Sequence, residues 1–129
     1  MKILVFGNTL VNQDSIAPLI IPQLSKKFPQ VEFKEFDTSE NMEREGKNLI
    51  ILDSVVGINK VILISDLDQL CMSKSYSMHD FDLPITLKLL KKIGSLDSVL
   101  IIGVPSDYSK EKAVAEVSKI ISSLLSKNG

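Results

Sequence analysis

A chain of 129 residues, 44% hydrophobic and 24% charged, has the size and balance of one globular domain (residues 1–129), with a core to bury and no room for a second catalytic domain. Fifteen basic and sixteen acidic residues leave a formal charge of -1, which excludes the long-range positive field that gathers nucleic acid. The single cysteine, Cys71, excludes an internal disulfide, and no apolar run approaches bilayer length. No nucleic-acid or membrane partner is therefore expected, and the chain reads as a cytoplasmic monomer.

The opening KILVF, Lys2 to Phe6, is a short continuous apolar run that stops at Gly7-Asn8, the pattern of a strand buried on both faces. It ends too early to complete a signal-peptide core. Ile16, Leu19, Ile20, Leu24 and Phe28 recur at helical spacing, with Asp14 or Ser15 as the cap. Pro18 falls in the first turn of that helix, whereas Pro22 lies inside it and should kink it or delay its start. VEFKEF, Val31 to Phe36, alternates apolar and polar residues and reads as an edge or near-edge strand with one wetter face.

NLIILD, Asn48 to Asp53, and KVILIS, Lys60 to Ser65, are two further apolar runs. The link SVVGIN between them is too short for a helical crossover, so the two strands should be antiparallel if they pair directly. Pro84 opens a helix with Ile85, Leu89, Leu90 and Ile93 expected on one face and Gly94 as its stop. SVLIIG, Ser98 to Gly103, is another buried strand. Ser109 is placed to cap a closing helix with Val114, Val117, Ile121, Leu124 and Leu125 on its apolar side. This alternation predicts an α/β fold: a three-layer sandwich with a mostly parallel, mixed, five-stranded sheet flanked by helices.

In an open α/β sheet the ligand crevice lies beyond the carboxyl ends of the strands. That rule selects the segment GNTLVNQDS with Asp14, the strand end at Asp53, and the segment Gly103-Val104-Pro105-Ser106. His79, the only histidine, lies in SYSMHDFDLP ahead of a helix. Should that segment fold over the same rim, two carboxylates and an imidazole would converge, a donor set suited to a borderline divalent ion with open positions. Plainer roles stand beside this one: Asp14 as a helix cap, Asp53 as a turn cap, His79 packed on Phe81. Cys71 sits in CMSKS, which carries no activating signature for a nucleophile.

The blocks MKILVFGNTLVNQDS, LIILDSV, YSMHDFDLPITLKLL and LIIGVPS, taken in order, resemble those of the hydrogenase maturation endopeptidases, small proteases that trim the large subunit of nickel–iron hydrogenases. Gly7, Asn8, Leu10 and Asp14 match the opening block, Asp53 the second and His79 the third. The resemblance implies that Asp14, Asp53 and His79 are the metal ligands and carry the catalysis, and that Asn8, Asp37 and Thr38 bind substrate. It further implies that the partner is a hydrogenase large-subunit precursor whose nickel is already installed, that this nickel is the recognition signal, and that cleavage removes a C-terminal extension. The chain departs from the family pattern at Gln13, where a first acidic residue is usual, and in EFDTSENME, which replaces a glycine-rich turn.

Two readings from another class compete. A phosphoacceptor receiver domain has this size and an aspartate ending its third strand, but Gly7-Asn8 and Val104-Pro105 stand where its other acidic residues and its lysine belong. A non-enzymatic nucleotide-binding module would rest on the Gly-Asn loop and the helix start behind it, but no Gly-x-Gly-x-x-Gly follows the first strand.

Overall fold

The computed structural model describes residues 1–7, 16–36, 42–65, 77–78 and 83–128. In chain order they form β1 (Lys2–Phe6), α1 (Ile16–Leu19), α2 (Ile21–Lys27), β2 (Glu32–Phe36), a 3-10 helix (Met42–Glu45), β3 (Asn48–Val56), β4 (Ile62–Ile64), β5 (Ser77–Met78), α3 (Leu83–Lys92), β6 (Ser98–Pro105) and α4 (Lys110–Asn128). The sheet runs in the order β2-β1-β3-β6-β4. Its first four strands are parallel, β4 lies antiparallel on β6, and the two-residue β5 pairs antiparallel with the end of β3. A mostly parallel, mixed sheet between helical layers is what the alternation of apolar runs predicts, with β5 as an addition to the five expected strands.

The two apolar runs in the middle take the middle of the sheet because only there are both faces covered. Leu49, Ile51 and Val55 of β3 and Val99 and Ile101 of β6 pack on one side with Leu87 and Leu90 of α3. Leu52, Ile102 and Val104 pack on the other with α1, α2 and Ala113, Val117 and Ile121 of α4. Each such aliphatic side chain, fully buried, contributes about 1.5–3 kcal/mol. β2, with Glu32, Lys34 and Glu35 exposed, is the edge its alternation predicts.

Pro22 divides the first helical stretch. It falls in the first turn of α2, where its missing N–H does no harm, and the chain breaks at the buried Ile20 between α1 and α2. Gly94 ends α3 with φ +83°, and the N–H groups of Ser95 and Leu96 both return to the Leu90 carbonyl. Ser109 caps α4 by accepting the Lys112 N–H at 3.2 Å.

β6 takes the place between β3 and β4, so those two do not pair directly; β4 runs opposite to β3 and lies antiparallel on β6. Two expectations need correction. β3 does not close at Asp53: pairing with β6 and β5 carries it on to Val56, and β6 likewise continues past Gly103 to Pro105. The buried face of α3 carries Leu87 and Leu90, whereas Leu89 and Ile93, expected with Leu90, are 56% and 63% exposed. Four apolar residues spread around so short a helix cannot all face one sheet.

Candidate functional site

Asp53 lies inside β3, opposite Gly103 of β6, and is fully buried. Side chains of successive strand residues point to opposite faces, so Asp53 shares the α3 side of the sheet with Ile51 and Val55. Its Oδ1 accepts the Ser54 N–H at 2.8 Å. A carboxylate taken fully out of water is costly unless hydrogen bonds, an opposite charge or a cation compensate it, and the Ser54 N–H supplies one such hydrogen bond.

The two residues after Asp53 receive chain from far away. Ser54, on the opposite face, accepts the Ala17 N–H on its Oγ at 3.2 Å, fixing the start of α1 to β3. Val55 lies opposite Met78 of β5, the residue before His79, and its carbonyl accepts the Ser106 N–H at 3.0 Å. Gly103 lies between β3 and β4 where space is short: a Cβ there would meet Ile62 Cγ1 and Val55 Cγ2, each at 3.0 Å.

Beyond Val55, a groove of about 650 Å3 opens among Gly57, Asn59, Lys60, Ser106 and Asp107. Gly57, at φ +94°, makes the turn out of β3. Tyr108 ties that turn to the head of α4: its O–H donates to the Asn59 carbonyl at 3.3 Å, and Lys112 Nζ lies 4.5 Å from its ring centroid. Desolvation, then the nearby Glu116 carboxylate, pushes the Tyr108 phenol above its ordinary value of 10.0, so it is a neutral donor throughout the physiological range.

Of the catalytic, metal-ligating and substrate-binding residues expected from the sequence, Asp53 alone is described. Asn8, Asp14, Asp37, Thr38 and His79, with Gln13, Cys71 and Phe81, lie outside the described residues. Among the described residues no group of three or more His, Cys, Asp or Glu side chains is placed to hold a metal ion, and no helix is long and apolar enough to cross a membrane.

No family model matches the chain, and no curated protein sequence matches it. Among solved structures, hydrogenase maturating endopeptidase HybD from E. coli is similar over 100% of this chain and 94% of its own, with a TM-score of 0.70 at 20% identity. This chain has the fold of a hydrogenase maturating endopeptidase. An uncharacterized protein from Wolinella succinogenes is similar over 95% of this chain and 97% of its own, with a TM-score of 0.57 at 17% identity.

Within this HybD-like fold, sequence reasoning overlooked Ser54, β5 and the packing role of Gly103. Ser54 left one signal, a hydroxyl in the middle of an otherwise apolar strand, next to an acid. Two residues of β5 are too few to carry any periodicity.

Proposed function

We propose that this chain is an endopeptidase that removes the C-terminal extension of a hydrogenase large-subunit precursor whose nickel is already in place, with Asp14, Asp53 and His79 meeting that nickel. The shared fold and the four sequence blocks support the reading. The observation that carries it is the run Asp53-Ser54-Val55. Asp53 is a buried carboxylate, Ser54 holds the start of α1 just after the Asp14 segment, and Val55 pairs with the residue before His79.

The donor set, two carboxylates and one imidazole, fits a borderline divalent ion. Nickel arrives with the substrate, and an ion of this kind polarises a peptide carbonyl or acidifies a bound water. Within the chain, His79 must be neutral to offer a nitrogen lone pair. A carboxylate of the pair, poorly hydrated where Asp53 stands, is suited to take a proton from the attacking water. Asn8, Asp37 and Thr38 belong to the substrate-binding part of the proposal. No side-chain nucleophile is required.

The test offers nickel-loaded and nickel-free precursor to the wild type, to Asp53→Asn and to His79→Ala, with cleavage followed by the mass of the large subunit. The wild type is expected to trim only the loaded precursor. Each variant should lose at least about 100-fold in rate, the lower end of what a positioned acid or base supplies. Equal cleavage in every mixture would end the proposal.

A further inference from the structure

We propose that Ser54 is a positioning residue of this site: its buried hydroxyl fixes the start of α1, which begins two residues after Asp14 in the chain, at the strand position next to Asp53. The inference rests on the peptidase reading above and adds to it a residue that touches neither substrate nor ion.

The first N–H groups of a helix have no acceptor within the helix. In α1, only four residues long, there is little internal hydrogen bonding to hold an orientation. Ala17 is fully buried, so water cannot serve its N–H, and the acceptor it finds is Ser54 Oγ at 3.2 Å, thirty-seven residues along the chain. Ile16 and Ala17 also pack among the aliphatic side chains of that face, with Leu52 and Val104. Apolar packing is non-directional and holds α1 against the sheet without fixing its rotation. The hydrogen bond is directional, and it supplies the missing constraint.

Its place in the chain gives it leverage. One residue, Ser15, separates Asp14 from Ile16, while Ser54 is bonded to Asp53 both covalently and through the Ser54 N–H to Oδ1 contact. The same residue thus donates its N–H to one acid of the proposed pair and anchors, through its hydroxyl, the helix that follows the other. Displacements of about 1 Å at a reacting centre cost up to about 100-fold in rate, so a loosened α1 should slow the chemistry more than it weakens substrate binding.

The experiment compares wild type, Ser54→Ala and Asp53→Asn on nickel-loaded precursor, with hydrogen exchange at the Ala17 amide measured on the free proteins. Ser54→Ala is expected to stay folded, to exchange the Ala17 amide at least about tenfold faster, and to lose about tenfold in kcat with KM within twofold. Should it fail to fold, Ser54→Cys, whose thiol fills the space but accepts poorly, takes its place with the same expectations. A lower melting temperature with kcat unchanged would make Ser54 merely structural and overturn the inference, while loss of cleavage in Asp53→Asn leaves the peptidase reading intact. Wild-type cleavage by Asp53→Asn would overturn both.

Discussion

At the amino end of the sheet, Glu45 of the 3-10 helix sits between the ammonium groups of Lys2 on β1 and Lys34 on β2, at 2.6 and 2.7 Å; at the carboxyl end, Asp53 is sealed within the sheet beside Ser54 and Gly103. Glu45 is compensated by cations that remain partly open to water, and the hydrogen bond from Lys2, then that from Lys34, holds its carboxyl below its ordinary value of 4.5. Asp53 has exchanged water for a protein interior. The first arrangement leaves its charges partly hydrated, while the second takes a carboxylate out of water, which a fold tolerates only where hydrogen bonds or an opposite charge compensate it. The ends also differ in how they are tied. Neighbouring elements meet at the amino end through ion pairs and the exposed Ser98–Asn48 hydrogen bond of 2.7 Å, whereas at the carboxyl end a buried hydroxyl and a short antiparallel strand fix distant segments.

The comparison sharpens most at Gly103. Gly103→Ala would press a methyl group against Val55 and Ile62, and overpacking of this kind costs about 1–3 kcal/mol. Chemical denaturation should show that loss, and shortening Ile62 to Ala in the same chain should recover part of it, since the two sites share one contact. A double variant no better than the single one would mean that Gly103 is needed for another reason.

Glu45→Gln tests the opposite end with a smaller effect, about 1 kcal/mol or less at neutral pH, reduced further by salt. Because the folded-state pKa of Glu45 is depressed, its contribution is present above the ordinary value of 4.5 and is lost as pH falls through the lower folded value. Wild type and variant should therefore converge in stability on acidification, and a gap that widened in acid would contradict the ion-pair account. The smallest effect is expected from Ser98→Ala, within about 0.5 kcal/mol, since its hydrogen bond is exposed. Neither amino-end variant should change precursor cleavage; a tenfold loss in either would break the division of labour between the two ends.

Much of the architecture was legible in the sequence because its signals are local. Continuous apolar runs marked β1, β3 and β6, alternation marked β2 as an edge, and Pro22, Gly94 and Ser109 marked a helix break, a stop and a cap. The buried face of α3 was not legible, since Leu87, Leu89, Leu90 and Ile93 surround much of the helix and only contact with the sheet selects two of them. Strand length was underestimated at β3 and β6 because Ser54, Val55 and Pro105 owe their strand state to partners across the sheet. Of the candidate site, the aspartate in LIILDSV was visible as an acid ending an apolar run, but its burial and the anchoring of α1 on Ser54 were not.

The sequence by itself determined the kinds of element, their order, and a link between β3 and β4 too short for a helical crossover. Only the tertiary structure decided that β6 enters between β3 and β4, that Asp53 lies inside the sheet, and that Ser54 and Val55 receive chain from α1 and β5. Periodicity and turn chemistry act over a few residues, whereas the neighbours of a strand are chosen by hydrogen bonds and burial between segments far apart in the chain.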